Sequence, residues 1–116
     1  MLNLFYICGM TYNDLIFLPH PNGGGLQARH IFENGYEISV VCGRYYYSTP
    51  KLDLMFGDEY EAYEVAVFSP QGDFVTPEFI ECYGDEVAGY LNRDEISDLM
   101  TNIDCNSKLK NKSIAE

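Results

Sequence analysis

Leu26-Gln27-Ala28-Arg29-His30-Ile31-Phe32-Glu33-Asn34-Gly35-Tyr36-Glu37-Ile38-Ser39-Val40-Val41-Cys42 reads as a β-hairpin folded back at Glu33-Asn34-Gly35. Asn-Gly is the signature of a two-residue type I′ turn. That turn would pair Glu33 with Tyr36, Ile31 with Ile38 and Arg29 with Val40, and each face would mix polar with apolar side chains. A three-residue loop, with Gly35 in the left-handed conformation as a bulge, pairs Phe32 with Tyr36 instead. His30 then faces Ile38, Ala28 faces Val40 and Leu26 faces Cys42, so one face is almost wholly apolar. The other face carries Gln27, Arg29, Ile31, Glu37, Ser39 and Val41. A one-residue slip sends every side chain to the opposite face, so burial selects the three-residue loop. In this register His30 lies on the buried face and reads as a hydrogen-bonded core histidine.

Before the hairpin, residues 13–20 read as a short apolar strand ended by Pro19, and Pro21-Asn22-Gly23-Gly24-Gly25 as a flexible turn. A glycine run cradles a phosphate where it opens a helix or a nest, and here a strand follows. After the hairpin, Tyr45, Tyr46 and Tyr47 read as strand, with Tyr46 opposite the other two. Residues 52–60 read as a loop with an apolar plug at Leu54, Met55 and Phe56. Glu61 to Phe68 alternates, with Tyr63, Val65 and Val67 on one face. Ser69-Pro70-Gln71-Gly72 suits a type I turn. Asp73 to Thr76 reads as the return strand, and 78–83 as a further short strand.

One helix is expected over 93–104. Asn92 suits the N-cap, Glu95 completes a capping box, and Ile96, Leu99, Met100 and Ile103 form one apolar stripe. Residues 106–116 read as a polar, lysine-bearing tail, frayed or weakly helical. The fold class is α+β: an antiparallel sheet of about five strands with one C-terminal helix packed on it, in a single domain over 1–105. No strand–helix alternation suits a parallel dinucleotide-binding sheet.

The chain has 116 residues, enough for one domain. Its 47% hydrophobic and 15% aromatic content excludes an intrinsically disordered chain. No apolar run reaches the roughly 18 residues of a membrane span. Met1 to Cys8 is apolar but lacks a basic flank and a small-residue cleavage site. It reads as a strand or an ordered arm, with Met10 as an alternative start. Cys8, Cys42, Cys82 and Cys105 are too widely spaced for a zinc site and suit reduced thiols in a cytosol.

Charge is the strongest compositional signal. The net charge is −11, yet residues 1–52 are neutral, while residues 53–104 hold fourteen carboxylates and a single cation, Arg93. Such a balance argues against direct binding to nucleic acid, whose phosphates are held by clustered cations. No nucleophile elbow, Walker loop or His-Glu-x-x-His is present. Asp58, Glu59 and Glu61 are the densest carboxylate cluster and read as solvated surface. Neither catalysis nor a cofactor nor a metal is expected.

Phe32-Glu33-Asn34-Gly35-Tyr36, Ser39-Val40-Val41, Tyr63-Glu64-Val65-Ala66-Val67 and Val87-Ala88-Gly89-Tyr90-Leu91, with His20-Pro21 and Gln27-Ala28, resemble a group of small bacteriophage-encoded accessory proteins. The likeness runs from about residue 12 to 104 and carries over no catalytic residue. It implies a protein made in the cytoplasm of an infected bacterium. The segment 44–60 and the apolar start depart from the group.

Two functional readings follow. In the first, an acidic surface imitates nucleic acid and blocks a basic host or effector protein, in the manner of an anti-CRISPR or anti-restriction inhibitor. Duplex DNA carries one charge per about 1.7 Å of axis, and a groove built for that field accepts carboxylates. Asp58, Glu59, Glu61, Asp85, Glu86, Asp94, Glu95 and Asp98 are the expected contacts, with Asp104 extending them. In the second, Arg29, Arg44 and Lys51 with Tyr45, Tyr46 and Tyr47 hold a phosphate and stack a base, making the chain a sponge for a nucleotide immune signal, closed by a homodimer. A virion structural role is a third possibility. Neither leading reading involves a membrane.

Overall fold

The computed structural model describes residues 10–82, 84 and 86–115, with side chains of the terminal helix described through Cys105. The chain forms a five-stranded antiparallel meander in the order β1-β2-β3-β4-β5, followed by one helix. The strands are β1 (Leu18–Pro19), β2 (Leu26–Ile31), β3 (Glu37–Cys42), β4 (Tyr63–Phe68) and β5 (Ala88–Leu91), and the helix is α1 (Arg93–Ala115). This is the α+β architecture expected from the sequence. The helix is longer than the 93–104 span read from its apolar stripe. Among the described residues no helix is long and apolar enough to cross a membrane.

The hairpin adopts the three-residue loop. Leu26 pairs with Cys42, Ala28 with Val40 and His30 with Ile38, and the Phe32 amide donates to the Tyr36 carbonyl at 2.8 Å. Gly35 sits at φ 89°, which an L side chain resists. Asn34 then does two jobs. Its Oδ1 accepts from the Tyr36 amide at 3.0 Å, and its Nδ2 donates to the Ile103 carbonyl at 2.9 Å. The loop is thereby pinned to the helix.

The helix starts as its sequence dictates. The Glu95 amide donates to Asn92 Oδ1 and the Asn92 amide to Glu95 Oε1, both at 2.8 Å. Ile96, Leu99, Met100 and Ile103 are all buried, in one core cluster with Ile38, Val40, Tyr63, Val65 and Val67. Each such side chain contributes about 1.5–3 kcal/mol of transfer free energy. The helix therefore covers one face of the sheet.

Several local expectations are corrected. Residues 13–20 are mostly not strand: Thr11 caps a 3₁₀ turn at Tyr12–Asp14, and only Leu18 and Pro19 pair. The tyrosine run is a loop, because Gly43 turns the chain at the end of β3 and the Tyr46 amide returns to the Gly43 carbonyl. Of the expected plug, Leu54 packs on the core, whereas Met55 and Phe56 are exposed and lead into a 3₁₀ turn at Gly57–Glu59. The return strand after β4 is reduced to the bridge Phe68–Phe74. Thr76 then opens a 3₁₀ turn, and its buried Oγ1 accepts from the Val67 amide at 2.9 Å. Residues 78–82 form no strand. His30 is half-buried, with its ring edge-on to Phe32 at 4.7 Å, and is not a hydrogen-bonded core histidine.

Candidate partner-binding surface

Arg93 organises the acidic half. As the first residue of α1, its guanidinium reaches back to donate to the Asp58 carbonyl and, at 2.9 Å, to the Tyr60 carbonyl. It also stands 5.3 Å over the Tyr12 ring. Beneath it lies a network of hydroxyls: Tyr12 and Tyr63 share a 2.6 Å hydrogen bond, and Tyr63 also donates to the Gly57 carbonyl at 2.7 Å. Burial, then the hydrogen bond with Tyr12, pushes the Tyr63 phenol above its usual range. The Gly57–Glu59 turn and the start of the helix are thus locked together. Gly57 lets the Phe17 ring pack against this turn, since a Cβ there would collide with it.

That junction ties the turn that carries Asp58 and Glu59 to the residue preceding Asp94 and Glu95. One turn further along α1, Asp98 flanks a shallow groove with Glu95, Phe79, Ile80 and Leu99. Glu59 Oε1 accepts from the Phe56 amide at 3.0 Å, so it also stabilises its own turn. Glu61 and Glu86 are exposed on the segments entering β4 and β5. Asp85 falls outside the described residues. Among the described residues the ion pairs are Arg29–Glu37 at 2.6 Å and Arg44–Asp53 at 3.1 Å. Both use other acids, and the Arg93 charge is turned onto backbone carbonyls. Asp58, Glu59, Asp94, Glu95 and Asp98 are all exposed.

The cations of the neutral half are held singly. Arg29 pairs with Glu37 and lies 5.7 Å from the Phe68 ring. Arg44 is fixed by Asp53 through both its side chain and its amide, and stands 5.8 Å from the Tyr45 ring. Lys51 donates to the Tyr46 carbonyl at 2.8 Å and sits over the rings of Tyr47 and Tyr90 at 5.7 and 5.2 Å. Tyr46 stacks on His20 at 5.4 Å. Burial, with Glu64 and Asp53 nearby, pushes its phenol up. Tyr45 is 78% exposed and carries no packing role. Each cation has its own acid or carbonyl, and the tyrosines fan apart.

Sequence reasoning missed an open cleft of about 400 Å³ beside β5, with Tyr47, Tyr90, Glu81 and Glu95 among its walls. Its signal was hidden. Tyr63 pairs with Leu91 and Val65 with Ala88, so Gly89 and Tyr90 together oppose Glu64 as a bulge. The bulge erases the two-residue alternation that marks a strand. Cys42 is fully buried and its thiol is pushed up to about 12 by burial. Cys82 and Cys105 are half-buried, and Cys8 lies outside the described residues. Among the described residues no three or more His, Cys, Asp and Glu are grouped to hold a metal ion. No protein-family model, curated protein or solved structure matches this chain.

Proposed function

We propose that this chain is a non-catalytic binding protein that blocks a basic protein through the acidic side built around Arg93. The observation that carries the reading is the fate of that single cation of residues 53–104. Its guanidinium donates to the Asp58 and Tyr60 carbonyls, and none of Asp58, Glu59, Asp94, Glu95 and Asp98 is in an ion pair among the described residues. Unneutralised carboxylates on one side of a small rigid body steer a cationic partner and fix its orientation. Exposed Met55 and Phe56 adjoin the turn and give the contact an apolar component. The resemblance to phage accessory proteins supplies the setting: a host defence protein with a nucleic-acid groove, met in the bacterial cytoplasm.

The test is capture from bacterial lysate with and without nuclease, followed by affinity measurement on the purified pair. A partner retained after nuclease treatment, whose affinity falls at least tenfold between 50 and 300 mM salt and collapses for Asp94→Lys/Asp98→Lys, supports the reading. Affinity that is flat with salt overturns it.

A further inference from the structure

We infer that the cleft beside β5 is a receptor for one arginine side chain of the protein partner. The inference rests on the acidic binding reading above and names the anchor it lacks.

The cleft is walled by Ile80 and Val87, by the rings of Tyr47 and Tyr90, and by the carboxylate-bearing side chains of Glu81 and Glu95. Its volume of about 400 Å³ lies in the range of real ligand clefts. β5 is the last strand of the sheet, so no further strand of the meander covers this side. Two features select the occupant. The walls are mainly apolar and aromatic, which suits a long aliphatic stem and a flat delocalised cation. The charged residues of the lining are acidic, and neither Glu81 nor Glu95 is in an ion pair among the described residues. Glu95 spends Oε1 on the helix cap, which leaves Oε2 to accept from a guanidinium. A phosphate or a fatty acid meets the like charge of Glu81 and Glu95 here, and a neutral apolar side chain gains nothing from either.

The aromatic wall is built at some expense. Tyr90 is the described non-glycine residue with positive φ, at 60°, a conformation that glycine adopts more readily. Its amide donates to the Tyr47 carbonyl at 2.9 Å, and the Tyr47 amide donates to Glu64 Oε1 at 3.0 Å. Tyr47 also passes so close to Gly89 that a Cβ there would come within 2.7 Å of its own Cβ. These contacts bring the two rings to 6.1 Å, and both stay half-exposed. The pair already attracts a cation, since Lys51 stands over both rings from outside the cleft lining. A partner's guanidinium entering from the cleft side meets the same rings in a lining that also holds Glu81 and Glu95.

The probe is N-acetyl-arginine N-methylamide, titrated into the full chain and followed by amide chemical shifts, with the neutral citrulline analogue and free L-arginine as controls. The expected result is saturable shifts at residues 88–91 and 81 with the capped arginine, at least tenfold weaker with citrulline. Equal binding of arginine and citrulline, or no shifts in this region, overturns the proposal. Stronger binding of free L-arginine than of the capped form assigns the cleft to the amino acid and also overturns it. Glu81→Gln and Tyr90→Gly should each weaken binding at least fivefold. Tyr90→Gly suits the positive φ of its backbone, and its thermal midpoint separates lost recognition from lost structure. Salt-dependent binding of polylysine to the same protein tests the acidic side independently. If polylysine binds and the arginine probe does not, this pocket falls alone.

Discussion

The Tyr12 hydroxyl lies 2.6 Å from that of Tyr63, joining the N-terminal 3₁₀ turn to the first residue of β4. Both rings are buried, and the Tyr63 hydroxyl also reaches the Gly57 and Tyr60 carbonyls. Tyr63→Phe keeps the ring and removes the donor. It removes the 2.6 Å bond and leaves the Tyr12 hydroxyl with its longer, 3.4 Å bond to the Gly57 carbonyl, a loss of about 1–1.5 kcal/mol. The thermal midpoint should fall by roughly 5–10 °C. A midpoint within a degree of the parent would mean the network contributes nothing.

The hairpin loop offers a second test. Asn34→Ala removes both side-chain bonds of Asn34, and a loss of about 1–2 kcal/mol in urea unfolding is expected. Gly35→Ala acts differently: φ is 89° and a new Cβ would lie 3.1 Å from Pro70. It should cost at least about 1 kcal/mol through the backbone alone. Should both variants match the parent, the register assigned to this hairpin is wrong.

Alkaline pH probes the core. Burial raises the Cys42 thiol from 9.0 to about 12. Below pH 9 the folded and unfolded chains both keep this proton, and stability does not vary through it. Between pH 9 and about 12 the unfolded chain loses the proton first, so unfolding gains up to about 1.4 kcal/mol per pH unit. Tyr63, also raised, adds a loss in the same direction above pH 10. Cys42→Ala should flatten the first part of this decline in urea midpoints between pH 8 and 10.5, although it leaves a small cavity. An equal slope for both proteins would show that Cys42 does not titrate with unfolding.

Like charges gathered around the start of α1 repel one another. Raising NaCl from 20 to 300 mM should therefore stabilise the protein, by about 1 kcal/mol, as the Debye length shrinks. Calorimetry at the two salt concentrations measures it, and destabilisation would show that attractive pairs dominate.

Much of the fold was legible because its signals are periodic. The hairpin register followed from asking which loop puts Leu26, Ala28, His30, Ile38, Val40 and Cys42 on one side. The helix followed from Asn92, Glu95 and the stripe ending at Ile103. The unread parts break periodicity. β5 hides behind its bulge at Gly89 and Tyr90. Asn13 and Asp14 read as the start of a strand over 13–20, although Thr11 and Asp14 form a capping box, a pattern visible in the sequence. Arg93 bonds the Asp58 carbonyl from 35 residues away, and no local pattern announces that it joins the two acidic segments. Glu81 joins Tyr47 and Tyr90 through the same kind of long-range placement.

The turn Ser69–Gly72, closed by the Gly72 amide on the Ser69 carbonyl at 2.9 Å, stands at the far end of β4 from Asp58 and Glu59. Gln71 at its tip is exposed, and a side chain built at Gly72 would touch nothing. The molecule thus comes with a ready handle: a fluorophore or an affinity tag inserted at this tip would immobilise the protein as bait with its acidic side facing outward.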